Sequence, residues 1–195
     1  MSIRYISIVI CTLLLVVAGK VSAQRYIPGQ TGIQLTFSGV DDFGKNVRHL
    51  GGNFQIGLAL SHYNNNRSRW VFGTDYVKKH YRYKDAAVPK EQFTAEAGYL
   101  YPFLYDNGRN VFLSAGLSAL AGYETVNRNE GMLYDGATLL HGGRFIYGFS
   151  PMLEMEAFLS DRWAFLFSVR QRVFFGSSVG NFHTLVGIGI KYIID

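Results

Sequence analysis

The chain has 195 residues, a length that favours one domain. Charged residues make up 17%, the hydrophobic class 48% and aromatics 15%, which excludes a disordered, highly charged segment and a coiled coil rich in charged helix formers. Glycine occurs 22 times without the three-residue period of collagen, and the net charge of +5 is too mild to imply a nucleic-acid partner.

The first 23 residues have the organisation of a secretory signal peptide. Arg4 supplies a short basic region, residues 6–18 an apolar stretch, and Val21-Ser22-Ala23 a small-residue cleavage site. The one cysteine, Cys11, follows the bulky Ile10 inside the apolar stretch, which argues against lipoprotein processing there. Export through the Sec pathway and cleavage before Gln24 are the expectation. Residues 24–195 then form the mature domain, which carries no cysteine and a net charge of about +3 once Arg4 and Lys20 are gone.

Beyond Ala23 no window of 18 apolar residues exists, so no transmembrane helix is expected. Segments of about ten residues with two-residue periodicity follow one another instead, separated by turn residues. The first is Ile33-Gln34-Leu35-Thr36-Phe37-Ser38. In the second Phe54, Ile56, Leu58 and Leu60 oppose Gln55, Gly57, Ala59 and Ser61, and in the third Trp70, Phe72, Thr74 and Tyr76 oppose Val71, Gly73, Asp75 and Val77. The fourth sets Phe93, Ala95, Ala97, Tyr99 and Tyr101 against Thr94, Glu96 and Gly98. Val111, Leu113, Ala115, Leu117, Ala119 and Ala121 mark the fifth, and residues 145–157 the sixth, with Glu154 and Glu156 opposite Leu153 and Met155. Trp163, Phe165, Phe167 and Val169 oppose Ser168, Arg170 and Arg172 in the seventh; Thr184 through Ile194 alternate with Gly187, Gly189 and Lys191 in the eighth.

A soluble sheet would turn a face rich in Lys, Glu, Asp and Arg to water. Here the less apolar face is mostly Gly, Ser, Thr and Ala, which suits the inside of a narrow eight-stranded barrel. The other face is aliphatic and aromatic, with Trp and Tyr near the strand ends where interfacial girdles fall. The expected fold is therefore all-β: an eight-stranded antiparallel outer-membrane-type β-barrel after a cleaved signal peptide. Long connections are expected at 41–52, 80–91, 124–144 and 176–181, short ones at 64–69, 102–110 and 160–162. The first three long ones exceed the short ones and the fourth does not.

The isolated charges Asp75, Glu96, Glu154, Glu156, Arg170, Arg172 and Lys191 share the small-residue face and are expected to form a structural charge network in the lumen. Glu154 and Glu156 point the same way, and pairing with Arg170 and Arg172 on the adjacent strand is expected to stabilise them. The five histidines lack ligand spacing with Cys, Asp or Glu, so no metal or other cofactor is expected. Ser61 and His62 are sequence neighbours on a strand and point to opposite faces, so they do not make a nucleophile–base pair. The run 176–180 lacks the Lys-Ser/Thr of a phosphate loop and reads as a turn. The basic, tyrosine-rich stretch 78–84 reads as a strand end at an interface. The fifth connection is the longest, and its Asn127, Asn129, Tyr134 and Asp135 are the residues expected to face a partner.

Longer runs carry a resemblance. Gln24-Arg25 with Pro28-Gly29 and Gly32-Ile33-Gln34-Leu35-Thr36, the segment 118–127 (SALAGYETVN), Leu133-Tyr134-Asp135-Gly136-Ala137-Thr138, Leu153-Glu154-Met155-Glu156 and Gly187-Ile188-Gly189-Ile190-Lys191 resemble the conjugative-transposon TraO family over essentially the whole mature chain. The resemblance implies a component of a conjugal transfer apparatus at the outer membrane. It transfers no catalytic residues. A non-enzymatic structural or docking role is expected, with outer-membrane lipid and other conjugal transfer proteins as partners, and no direct nucleic acid or small-molecule substrate. An outer-membrane lipid-modifying enzyme and a soluble periplasmic ligand-binding barrel remain the alternatives. A lumen filled by side chains excludes a DNA-conducting pore for a monomer.

Overall fold

In the computed structural model every regular element among the described residues is a strand, and the alternation read from the sequence sets which face each residue takes. The structure describes residues 27–41, 53–83, 86–126, 143–177 and 180–194, and for 81–83, 86 and 87 the backbone only. The cleavage site at Ala23 and the loop residues Asn127, Asn129, Tyr134 and Asp135 lie outside the described residues.

Eight strands follow in order: β1 (Thr31–Val40), β2 (Phe54–Tyr63), β3 (Arg69–Tyr83), β4 (Ala86–Tyr105), β5 (Val111–Val126), β6 (Gly143–Phe158), β7 (Trp163–Phe175) and β8 (Phe182–Ile193). Each pairs antiparallel with its neighbours, and β1 pairs with β8, so the sheet closes into a barrel without edges. The even strand number places Thr31 and Ile193 at the same end, called the near end below.

The expected fold class holds, and two of its boundaries need correction. Residues 80–91 were expected as a loop, but β3 runs to Tyr83 and β4 starts at Ala86, with register pairs continuing through His80↔Pro89 to Tyr83↔Ala86. Charge was read as the end of the strands, whereas a hairpin keeps pairing its backbone when its side chains leave an apolar environment. Lys78 and Glu91, opposite one another there, form an ion pair at 3.9 Å. The turn expected at 102–110 is also shorter. A bulge between Pro102 and Leu104 absorbs the proline and lets β4 reach Tyr105 before the turn.

Every strand carries apolar residues at outward positions. Leu35, Leu58, Phe72, Phe93, Leu117, Leu153, Phe167 and Ile190, one from each of β1 to β8, are 39–61% exposed. Aromatic pairs gather at the strand ends: Trp70 with Tyr99 and Trp163 with Tyr192 at the near end, Phe54 with Tyr76 and Tyr147 with Phe175 at the far end.

Inside, backbones and side chains pack without room for larger residues. A Cβ on Gly148 would sit 1.9 Å from the Val173 carbonyl oxygen. The small-residue face is less uniform than the sequence suggested. Tyr63, Phe112, Phe158, Ala164 and Ile193 form an apolar layer across the near end, and further apolar layers recur along the lumen. Between these layers lie the charges.

Candidate functional site: the charged lumen and the far rim

Five cations (Arg69, Lys90, Arg170, Arg172, Lys191) and five carboxylates (Asp75, Glu96, Glu124, Glu154, Glu156) are buried in the described lumen, so it is electroneutral apart from His183. Isolated charges could not remain ionised there, which makes their pairing obligatory.

Next to the near-end apolar layer, Arg69 on β3 crosses the lumen to β6. Its guanidinium binds Glu154 through Nη2 and Glu156 through Nη1, the latter at 2.9 Å. Lys191 on β8 donates to Glu156 at 2.6 Å and to the Tyr63 hydroxyl at 3.0 Å, and that hydroxyl in turn donates to Glu156. One level up, Arg172 on β7 pairs with Asp75 on β3, which also accepts from Gln55 Nε2. Gly57 makes this possible, since a Cβ there would fall 2.2 Å from Asp75 Oδ1. Beside it Arg170 binds both Glu96 oxygens at 3.0 and 3.2 Å. Toward the far end Lys90 and Glu124 pair at 2.9 Å, joined by Gln92 and Ser177.

The expected pairing of Glu154 and Glu156 with Arg170 and Arg172 is overturned. The register sets Glu154 beside Ser168 and Glu156 beside Leu166, while Arg170 lies beside Met152. Long side chains in a narrow tube find partners across the lumen rather than on the next strand. Asp75, Glu96, Glu154, Glu156, Arg170, Arg172 and Lys191 are all buried, but they divide among separate clusters. Arg69, Lys90 and Glu124, missed as lumen residues, complete these clusters. Their signal was parity: Arg69 shares that of Asp75, Lys90 that of Glu96, and Glu124 that of Ser118.

At the far rim Asp41, just past β1, adopts a left-handed conformation at φ 57°. Its carboxylate accepts from Lys79 Nζ on β3 at 2.7 Å, from His183 Nδ1 on β8 at 2.7 Å and from the Thr184 N–H at 2.6 Å. Partial burial acts to raise the Asp41 carboxyl, but the hydrogen bonds from His183, Lys79 and Thr184 outweigh it and hold it at about 2. Ionised Asp41 only accepts, so the His183 ring carries its hydrogen on Nδ1.

Ser61 is fully buried and donates weakly to the Gly32 carbonyl, whereas His62 is outside, beside Thr31. The two side chains are thus on opposite faces of the wall. Among the described residues each lumen carboxylate is held by a cation, an arrangement that locks a structure.

A closed antiparallel barrel with an apolar exterior and a neutralised polar interior is the architecture of outer-membrane-type β-barrels. Solved barrels share it. The structure superposes on Ail, the attachment invasion locus protein of Yersinia pestis, with a TM-score of 0.55 at 12% identity, over 86% of this chain and 100% of that one. NspA, the Neisserial surface protein A, gives 0.52 at 11% identity over 84% and 95% of the two chains. The N-terminal β-barrel domain of Pseudomonas aeruginosa OprF gives 0.51 at 5% identity over 86% and 98%. At such identities the likeness is one of fold. Comparison of the sequence with curated proteins returns no match. The family model described as conjugative transposon protein TraO matches residues 27–194. The chain belongs to that family.

Proposed function

We propose that the protein is a non-enzymatic outer-membrane component of a conjugative DNA-transfer apparatus, serving as a rigid docking scaffold for other transfer proteins. Family membership carries the conjugative assignment. The observation that carries the location is the outward apolar belt, contributed by every strand of a sheet that has no edge. A continuous exposed belt of this kind is at low free energy only in lipid. Export through the Sec pathway with loss of residues 1–23 belongs to the same proposal, and it sets the near end in the periplasm.

The paired lumen supports a scaffold rather than an enzyme or a conduit. Partner contact then falls to the far-end connections, and the longest of them holds Asn127, Asn129, Tyr134 and Asp135. Replacing residues 127–140 by a short Gly/Ser linker is expected to leave a heat-modifiable barrel in the outer-membrane fraction, because shortening a surface loop changes closure entropy little. Conjugation frequency in a mating assay is expected to fall. Unchanged transfer by the inserted variant would remove the docking role from this loop, and recovery of the wild-type protein from the detergent-free soluble periplasm would overturn the location.

A further inference from the structure

A cleft of about 870 Å³ opens on the outer wall at the near end, between the chain at Gly29, the β2–β3 turn and the side chains of His62, Trp70 and Tyr99. Trp70 is the register partner of both His62 and Tyr99, and the Trp70 and Tyr99 rings meet edge-on at 4.9 Å. The floor of the cleft is therefore one step of the near-end aromatic girdle, and Asn65 and Asn66 of the turn form its polar side. The next outward row of the wall is Leu60 and Phe72, paired in register and 48% and 53% exposed. A polar cleft continuous with an apolar wall fits an amphipathic ligand.

The turn is held in place and carries a cation. Asn64 N–H donates to the Ser68 carbonyl at 2.8 Å, Asn64 Nδ2 to the Ser68 hydroxyl at 2.9 Å, and Ser68 N–H to Asn66 Oδ1 at 3.2 Å. Between them Arg67 has φ 65°, a left-handed conformation that favours glycine or asparagine. Its guanidinium lies over the Tyr105 ring, 4.8 Å from the centroid, and forms no ion pair among the described residues. Asp106, next to Tyr105, is taken up by its own turn, where it accepts from the N–H groups of Gly108, Asn110 and Val111. The Trp70 indole N–H and the Asn65 side-chain amide are likewise without a hydrogen-bond partner among the described residues.

We infer that this cleft seats the headgroup of an anionic glycerophospholipid of the surrounding leaflet, its phosphate toward Arg67, Asn65 and the Trp70 indole and its acyl chains along Leu60 and Phe72. The inference rests on the outer-membrane reading given above. The chemistry of the cleft selects the head. A phosphate takes donors, and a guanidinium, an indole and a carboxamide supply them. No carboxylate lines the cleft among the described residues, so the ammonium of an aminophospholipid has no counter-charge there. The choline of a zwitterionic lipid meets Arg67 as a like charge. Hydroxyls on the head, as in phosphatidylglycerol, find the amide oxygen of Asn65 instead. Free phosphate would use the same donors but leave Leu60 and Phe72 uncovered, and covering them favours the lipid.

The test is tryptophan quenching in phosphatidylcholine vesicles that contain a small fraction of phosphatidylglycerol or phosphatidylcholine brominated near the head of the acyl chains. The chain has two tryptophans, so Trp163→Phe reports on Trp70 alone and Trp70→Phe on Trp163 alone. One charge contact in a wet site favours the anionic lipid by about fivefold, and that preference is expected at Trp70 and not at Trp163. Adding Arg67→Gly to the Trp70 reporter is expected to abolish the preference in a barrel that stays heat-modifiable, because glycine suits the left-handed position. Arg67→Asn serves if that variant misfolds. Equal quenching of Trp70 by the two lipids would overturn the inference, as would a preference that survives loss of Arg67 or appears equally at Trp163. Relief of the preference by soluble glycerol phosphate would replace the lipid with a free phosphate. Quenching of neither tryptophan by either lipid would instead refute insertion, and the outer-membrane reading with it.

Discussion

Replacing Arg69 by Met separates charge from bulk in the near-end cluster. Arg69 is 1% exposed and is held by two carboxylates that are themselves 1–2% exposed at the side chain. With Arg69 gone, Glu154 and Glu156 share the single cation Lys191, and one buried negative charge is uncompensated. Breaking a buried pair by removing one partner costs about 3–5 kcal/mol. Met keeps most of the apolar volume, so little of that figure is cavity. For an m-value of about 1–3 kcal/mol/M in urea, the unfolding midpoint of the vesicle-inserted barrel drops by at least about 1 M.

The same charge count predicts a rescue. In R69M/E154Q one cation and one carboxylate have been removed together, leaving the Lys191–Glu156 pair at 2.6 Å intact. Replacement of both partners approaches neutrality where removal of one does not. The double variant is therefore expected to regain at least half of the lost stability, read by urea titration of tryptophan fluorescence and by the gel shift of the folded form. A double variant as unstable as R69M would refute the electrostatic account and leave packing as the cause.

Three further outcomes follow from the same geometry. Leu58→Arg places a charge on the outward face of β2 at a residue 55% exposed. It is expected to reduce stability in lipid vesicles by about 2–4 kcal/mol if the site lies near the midplane, and tolerance of the change would mean that this face does not meet lipid. Asp41, with its folded value at about 2 against 3.8, contributes stability that is present above pH 4 and lost as pH falls toward 2. Acid unfolding of Asp41→Asn should therefore begin from a lower plateau at neutral pH and fall less steeply over that window; identical pH profiles would show that the rim clasp does not contribute. Gly148→Val sets a branched side chain where even a Cβ meets the Val173 carbonyl at 1.9 Å, so β6 and β7 must separate or β6 must twist away. Loss of the heat-modifiable band is expected, and a fully folded Gly148→Val protein would show that this close approach of the strands is dispensable.

Much of the fold was legible because a strand's period of two is written locally. Leu35, Leu58 and Ile190 declare their face through their neighbours alone, and a one-residue slip would turn a whole apolar row into the lumen. The lumen pairs were not legible, for a geometric reason. Which inward residue of β3 meets which of β6 depends on the tilt and stagger of the closed sheet, a property of all eight registers together. Adjacent strands made Arg170 and Arg172 the obvious partners of Glu154 and Glu156, yet Arg69, far away in sequence, reaches both. The strand ends failed for another reason. Lys90 and Glu91 were read as loop, although the backbone goes on pairing through them.

Pro151 shows where these two kinds of information meet. As a residue it is plain in the sequence, between Ser150 and Met152 of an otherwise regular strand, and by itself it argues only for an edge or a bulge. Closure removes the edge, and the intact register on both sides removes the bulge. What remains is a missing donor in a wall that must satisfy its own backbone, because lipid supplies none. Among the described residues this lumen has its carboxylates paired with cations and an apolar layer across the near end. An interior whose buried charges are paired in this way is committed to holding the barrel together.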